Sequence, residues 1–119
     1  MQLPDLTLYL EMISGQEVIQ VKQRPDLFHF RLKVTLINGT ILHVRENHLP
    51  VLEWHEYSYQ WQTADNVLIA RWDNAHERHT QSVPPHHQHV GSEENVLPSE
   101  PMTLEKVLQH ISRQLATSN

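Results

Sequence analysis

The residues best suited to chemistry lie between Arg71 and Gly91, where the chain reads RWDNAHERHTQSVPPHHQHVG. Histidine has an unperturbed pKa near neutrality, so its ring can exchange a proton there, and its neutral form is the commonest metal ligand. Half of the ten histidines fall in this stretch: His76, His79, His86, His87 and His89. The stretch therefore predicts acid–base chemistry, a metal site, or a solvated loop rich in one residue type.

The first interpretation is acid–base catalysis without a metal. Two imidazoles can move protons at neutral pH, and an arginine can stabilise the charge of a phosphorane-like transition state. Arg71 and Asp73 are two positions apart, so they share one face of a strand that leads into the histidines. This chemistry suits cleavage of RNA through its 2′-hydroxyl. The candidate catalytic residues are Arg71, Asp73, His79, His87 and His89.

The second interpretation is a site for a divalent metal such as zinc. In an extended segment His87 and His89 point the same way, whereas His86 points to the opposite face. Three histidines together with Asp73 would hold a cation and leave one position open. The candidate ligands are His76, His86, His87 and His89. A third interpretation, a structural or binding role without catalysis, remains open.

Composition narrows the class of protein. A chain of 119 residues fits one domain, residues 1–119. Its formal net charge of −5 argues against indiscriminate binding to nucleic acid but allows a local basic patch. There is no cysteine, so any metal must be held by His, Asp, Glu or backbone oxygen. Neither a signal peptide nor an apolar run long enough to span a membrane is predicted, so we expect a cytoplasmic protein.

The clearest strand covers residues 27–37, because apolar and polar residues alternate there. Its return strand begins at Ile41, after a turn that contains Gly39. A three-residue loop at 38–40 keeps one apolar face continuous, with Leu36 opposite Leu42 and Val34 opposite Val44.

That register places Lys33 opposite Arg45, with Arg31 and His43 nearby on the polar face. Like charges directly opposite are destabilising. A sequence that keeps them can use them to hold an anion. Arg31, Lys33, His43 and Arg45 are therefore candidate anion- or RNA-binding residues.

The remaining pattern predicts an α+β fold in a single domain. Leu3, Leu6, Leu10 and Ile13 form a helical stripe that Gly15 ends, and Leu104, Val107, Leu108, Ile111 and Leu115 form a stronger one. Strands are expected at 17–24, 57–61 and 67–73, and a polar linker at 92–101. We expect an antiparallel meander of four to five strands, with both helices packed on one face and the histidines along one edge.

Several of these motifs resemble the TumE family. They are YSYQW at 57–61, RWDNA at 71–75, PHHQHVG at 85–91, the following ENVLPS, and the C-terminal TLEKVL. The turn before ILHVRE (residues 41–46) resembles the central hairpin of that family. The similarity runs from about residue 8 to residue 111. The family usually has an HH pair soon after Asp73-Asn74-Ala75, whereas this chain has His76-Glu77-Arg78-His79, so the carry-over is onto His86, His87 and His89.

The resemblance implies a bacterial cytoplasmic toxin of a type II toxin–antitoxin system. The implied partner is a helix-turn-helix antitoxin from an adjacent gene. By analogy with other small toxins, RNA is the target we favour. A non-catalytic binding or regulatory module and a metal-dependent hydrolase are the two alternatives.

Overall fold

The protein is built on one antiparallel sheet whose strands follow each other in sequence order. The structure is a computed structural model that describes residues 2–74 and 86–117. Within them the sheet has seven strands: β1 (Ile13–Arg24), β2 (Leu27–Leu36), β3 (Ile41–Leu49), β4 (Trp54–Gln62), β5 (Leu68–Asp73), β6 (His87–Val90) and β7 (Val96–Pro98). The described part also contains one α-helix, α1 (Leu104–Thr117), and two 3-10 helices, Thr7–Met12 and Pro50–Leu52.

Helix α1 covers one side of this sheet, which we call the inner face. Its buried residues, Leu104, Val107, Leu108 and Ile111, pack into the same core as the apolar residues of β2 to β5. The Lys106 N–H donates to Thr103 Oγ1 at 3.1 Å, so Thr103 caps the N-terminus of this helix. The predicted C-terminal helix is therefore confirmed. No helix in residues 2–74 and 86–117 is long and apolar enough to cross a membrane.

The prediction of two helices on a sheet of four to five strands is wrong. The N-terminal stripe forms only a short 3-10 helix, in which Leu8 is 84% and Leu10 is 52% exposed. Ile13 already belongs to β1, which pairs along the whole of β2. A six-residue segment cannot bury a helical face, whereas a strand satisfies the free backbone groups of β2.

Two strands lie where the sequence shows little hydrophobic pattern. His87–Val90 forms β6 inside the sheet rather than along its outer edge, and the predicted linker at 92–101 contains the edge strand β7. Backbone hydrogen bonds hold both strands, so polar side chains do not prevent pairing. A three-residue edge strand also exposes few unpaired backbone groups.

The β2–β3 hairpin keeps the predicted faces but not the predicted partners. Val34 faces Leu42 rather than Val44, and Thr35 faces Ile41. The turn occupies Ile37–Gly39, one residue earlier than predicted, with Gly39 in the left-handed region at φ 87°. A loop of three residues keeps the parity of the strands, and moving it by one residue shifts the register by two.

The shifted register also changes the pairing of the basic residues. Lys33 lies opposite His43, and Arg31 lies opposite Arg45, so the predicted Lys33–Arg45 pair is wrong. All four still share one face of the sheet because the parity is kept. This face lies opposite α1, and we call it the outer face.

Candidate functional site

Two rows of polar residues run across the outer face, one residue from each strand between β2 and β6. One row is Arg31, Arg45, Ser58, Asp73 and His87, and the other is Lys33, His43, Gln60, Arg71 and His89. Both rows follow directly from the strand registers, since directly opposite residues point to the same side. One face of the sheet thus carries both predicted sets. They are the anion-binding residues and the catalytic residues that the structure describes, Arg71, Asp73, His87 and His89.

The β6 end of these rows is the Asp73 cluster, formed by Asp73, His87 and His89. These side chains are buried, with 2%, 1% and 4% of their residue surface exposed. His87 Nε2 lies 2.7 Å from Asp73 Oδ1, and His89 Nε2 lies 3.5 Å from Asp73 Oδ2. The Asp73 carboxylate thus lies between the two imidazoles, at ion-pair distance from each.

Asn74 anchors the end of β5 and so holds Asp73 in place. The Tyr57 N–H donates to Asn74 Oδ1 at 2.8 Å, and Asn74 Nδ2 donates to the His55 carbonyl at 2.9 Å. Beyond the last residue of β5, the Asn74 side chain thus makes the two hydrogen bonds to the backbone of β4 that a further strand residue would make. Within the RWDNA motif, Asn74 therefore has a structural role.

Arg71 joins the Asp73 cluster to the surface. Its Nε donates to Asp73 Oδ2 at 2.9 Å, and its two terminal nitrogens donate to the Glu93 carboxylate at 2.7 and 2.5 Å. Burial alone would lower the pKa of the Arg71 guanidinium, but these bonds outweigh burial and raise that pKa. Glu93 also accepts from His89 Nδ1 through its backbone carbonyl at 2.9 Å. The sequence prediction did not include Glu93, since its partners are distant in sequence.

His86 does not belong to the Asp73 cluster. Its Nδ1 shares a 2.7 Å hydrogen bond with the Tyr57 hydroxyl, and the two rings stack. Burial, aided by the charge of His87, lowers the pKa of His86. The predicted alternation of His86 against His87 and His89 is confirmed. His76 and His79 belong to residues 75–85, which lie outside the described residues.

The β2–β3 end of the rows carries the basic residues. Arg31, His43 and Arg45 line an open concavity of about 490 Å³, and Lys33 lies beside His43. Among the described residues, no carboxylate lies within 4.0 Å of the Arg31, Lys33 or Arg45 side-chain nitrogens. Burial, with the charge of Lys33, lowers the pKa of His43. The positive charge of this surface therefore comes mainly from the arginines and lysine.

A second cluster lies on the inner face, at the far end of β3 and β4. We call Glu46, His48 and His55 the Glu46 cluster. Both His48 Nε2 and His55 Nε2 lie 2.9 Å from Glu46 Oε1, and the Tyr59 hydroxyl donates to Glu46 Oε2 at 2.8 Å. Burial raises the pKa of Glu46, but the bonds from His55, Tyr59 and His48 outweigh it, and the pKa is lowered overall.

The sequence prediction did not include the Glu46 cluster. One signal was present: Glu46 ends the predicted return strand and His48 lies two positions later, so a strand extended through His48 would place both on one face. His55 lies in a stretch without clear period, and only the observed register places it opposite His48. The register across the connection at residues 50–53 could not be derived from the pattern of residues alone.

Both clusters have the residue types and the spacing of a metal site. In each, the candidate ligand atoms lie within 4.8 Å of one another. Two imidazoles and one carboxylate form a donor set that binds divalent transition metals. Of the predicted metal ligands, His87 and His89 come together with Asp73, whereas His86 does not.

Comparison with known proteins identifies the family. The family model described as Toxin TumE matches residues 5–115, nearly the whole chain. Comparisons with curated proteins and with solved structures found no match. The resemblance in the YSYQW, RWDNA and PHHQHVG motifs is thereby confirmed, and the chain belongs to the TumE family of toxins from toxin–antitoxin systems.

Proposed function

We propose that this toxin cleaves RNA on its outer face, with Arg71, Asp73, His87 and His89 at the reaction centre. The observation that supports the proposal is the pair of residue rows that joins the basic concavity to the Asp73 cluster. Neighbouring strands are about 4.8 Å apart, so the path from β2 to β6 is about 19 Å long. A path of this length accommodates several nucleotides of a single strand.

In this proposal the scissile phosphate takes the place of the Glu93 carboxylate. That carboxylate occupies the fork of Arg71 and lies 4.0 Å from His89 Nδ1. Arginine binds phosphate with the same two-pronged geometry that it uses for carboxylate. The Glu93 side chain is 58% exposed, so its ion pair with Arg71 is weak enough for a phosphate to displace.

The proposed reaction is transesterification through the 2′-hydroxyl. One imidazole accepts the 2′-hydroxyl proton while the 2′-oxygen attacks phosphorus, and the other protonates the departing 5′-oxygen. The products are a 2′,3′-cyclic phosphate and a 5′-hydroxyl. Asp73 orients both rings, and Arg71 stabilises the extra negative charge on the phosphorane-like transition state. His79, in the part of the chain without a structural description, remains a candidate for one of the two proton-transfer roles.

A metal-dependent hydrolase is the second candidate, and the hydrogen bonding of His89 favours it. His89 Nδ1 lies 2.9 Å from the Glu93 carbonyl, which can only accept, so Nδ1 carries the proton. In a neutral ring this leaves Nε2 as a lone-pair donor beside Asp73. Metal-ligating histidines commonly donate their other N–H to a carbonyl in this way. A bound divalent ion would activate water and polarise the phosphate.

Cleavage of an RNA oligonucleotide in the presence of excess EDTA distinguishes the two candidates. Acid–base catalysis predicts unchanged cleavage with cyclic phosphate ends, and a substrate with a 2′-deoxy sugar at the cleavage position should stay intact. A metal-dependent enzyme should lose activity in EDTA and regain it when zinc or a similar ion is added back.

The Arg31→Gln, Arg45→Gln double variant should bind single-stranded RNA more weakly and with a shallower salt dependence. Each lost phosphate contact lowers the slope of log affinity against log salt by about 0.7. Fluorescence anisotropy at several salt concentrations measures this slope. Lys106→Gln with Arg113→Gln is the matched control, because both residues are exposed on α1, on the other side of the sheet, and the charge change is equal. Equal losses in the two double variants would show that only net charge matters.

RNA binding should raise the pKa of His43. That pKa is low because of burial and the nearby charge of Lys33, and a phosphate on the outer face opposes the repulsion from Lys33. The shift can be followed by NMR titration of the ring protons with and without a short oligonucleotide. His110 on α1 is the internal control, since its pKa is also lowered by burial and by Arg113 but it lies against Trp61 and Trp72. An unchanged His43 pKa in saturating RNA would exclude this face as the binding site.

The partner is an antitoxin, as in other toxin–antitoxin systems, and we propose that it is a helix-turn-helix protein encoded next to the toxin gene. With an RNA target and such a partner, we propose that the toxin acts in the cytoplasm. Co-expression with the neighbouring gene should restore growth and allow the two chains to be purified together.

A further inference from the structure

We propose that the Glu46 cluster is a binding site for a divalent transition metal, separate from the Asp73 cluster and on the opposite side of the sheet. The three ligands would be Glu46 Oε1, His48 Nε2 and His55 Nε2. Ligand atoms around a tetrahedral zinc ion lie about 3.3 Å apart, given bonds of about 2.0–2.2 Å. Glu46 Oε1 already lies 2.9 Å from each ring nitrogen, so the cluster needs only a small expansion to admit an ion.

The surroundings of the cluster hold the three ligands in position. His48 and His55 lie directly opposite each other on β3 and β4, and their rings stack with centroids 4.1 Å apart. His48 also stacks on Phe30, which limits rotation of the ring. The buried Tyr59 hydroxyl donates to Glu46 Oε2 and leaves Oε1 facing the two imidazoles. A hydrogen bond of this kind to a ligating carboxylate strengthens metal sites in general.

Access distinguishes this cluster from the Asp73 cluster. The His55 side chain is 40% exposed and that of His48 is 21% exposed, so an ion and its remaining water ligand can enter from solvent. The side chains of the Asp73 cluster are at most 6% exposed. Exchange of metal with solvent should therefore be easier at the Glu46 cluster.

Metal binding requires a change of tautomer in each neutral ring. The ionised Glu46 carboxylate can only accept, so each Nε2 carries a proton when it binds Oε1. An ion at Nε2 moves that proton to Nδ1 in a neutral ring. The ion then replaces two hydrogen bonds with three coordinate bonds and links β3 to β4. Because protons compete for the ring nitrogens, affinity should fall in acid.

Zinc titration of the full chain by calorimetry tests the proposal. His55→Gln should weaken binding at the Glu46 cluster by at least about tenfold, and Tyr59→Phe, which keeps all three ligands, by about 10- to 100-fold. His110→Gln is the matched control, because it removes a histidine of α1 that belongs to neither cluster and should leave zinc affinity unchanged. Zinc should also raise the melting temperature of the wild type more than that of His55→Gln.

The variant His89→Gln separates the two clusters. If the Asp73 cluster binds an ion of its own, two equivalents bind to the wild type, and His55→Gln and His89→Gln each remove one. Zinc binding that survives His55→Gln and disappears in His89→Gln would overturn the proposal. Failure of the wild type to bind zinc would overturn it too, without any bearing on RNA cleavage by acid–base chemistry.

Discussion

Asp73→Asn should abolish growth arrest when the toxin is expressed without its antitoxin. Asparagine keeps the size of the side chain but removes the charge that lies between His87 and His89 and that accepts from Arg71. The loss of imidazole orientation should lower the cleavage rate by about 10²- to 10⁴-fold. The optical density of induced cultures, followed over several generations, measures the effect.

Asp65→Asn is the matched control for this prediction. Asp65 lies exposed in the β4–β5 turn, and the same change there should leave growth arrest intact. Circular dichroism of purified Asp73→Asn must show a folded protein, since Asp73 is buried. A folded Asp73→Asn variant that still arrests growth fully would remove the Asp73 cluster from the mechanism.

The burial of His87 changes the choice of histidine variants. His87 is 1% exposed and His89 is 4% exposed, so neither is a residue of a solvated loop. An alanine at either position would leave a cavity and destabilise the protein as well as remove the imidazole. Glutamine is the better replacement, because it fills more of the space and keeps polar atoms near Asp73.

Leu108→Ala should lower the free energy of unfolding by about 2–5 kcal/mol. Leu108 is 1% exposed and lies in the core between α1 and the inner face of the sheet. Urea denaturation followed by tryptophan fluorescence measures the loss. Leu8→Ala is the matched control: the same side chain is 84% exposed there, so the change should stay within about 0.5 kcal/mol. Equal losses in the two variants would contradict the packing of α1 on the sheet.

Elements with a strong hydrophobic period could be predicted from the sequence. The alternation in β2 and the aromatic alternation in β4 correctly predict which side chains enter the core, and the stripe of α1 predicts the helix. The strands β6 and β7 could not be predicted in this way, because backbone pairing holds them while their side chains are polar or exposed. Short strands of this kind need the neighbouring strand to be known first.

The candidate site was predictable where it depends on local spacing. Arg71 with Asp73, and His87 with His89, are pairs two positions apart, and each pair shares a face as expected. That the two pairs meet depends on the register of β5 against β6, which sequence spacing does not contain. Glu93 and the Glu46 cluster depend on contacts across loops and strands for the same reason.

Cleavage of a defined RNA by the purified wild-type toxin, with analysis of the product ends, tests the central claim most directly. The proposed mechanism predicts new ends that carry a 2′,3′-cyclic phosphate and a 5′-hydroxyl, produced by the wild type and not by Asp73→Asn. The preparation must bind the antitoxin and must come from a strain in which the same chain arrests growth. If the RNA stays intact with such a preparation, RNA cleavage is not the function.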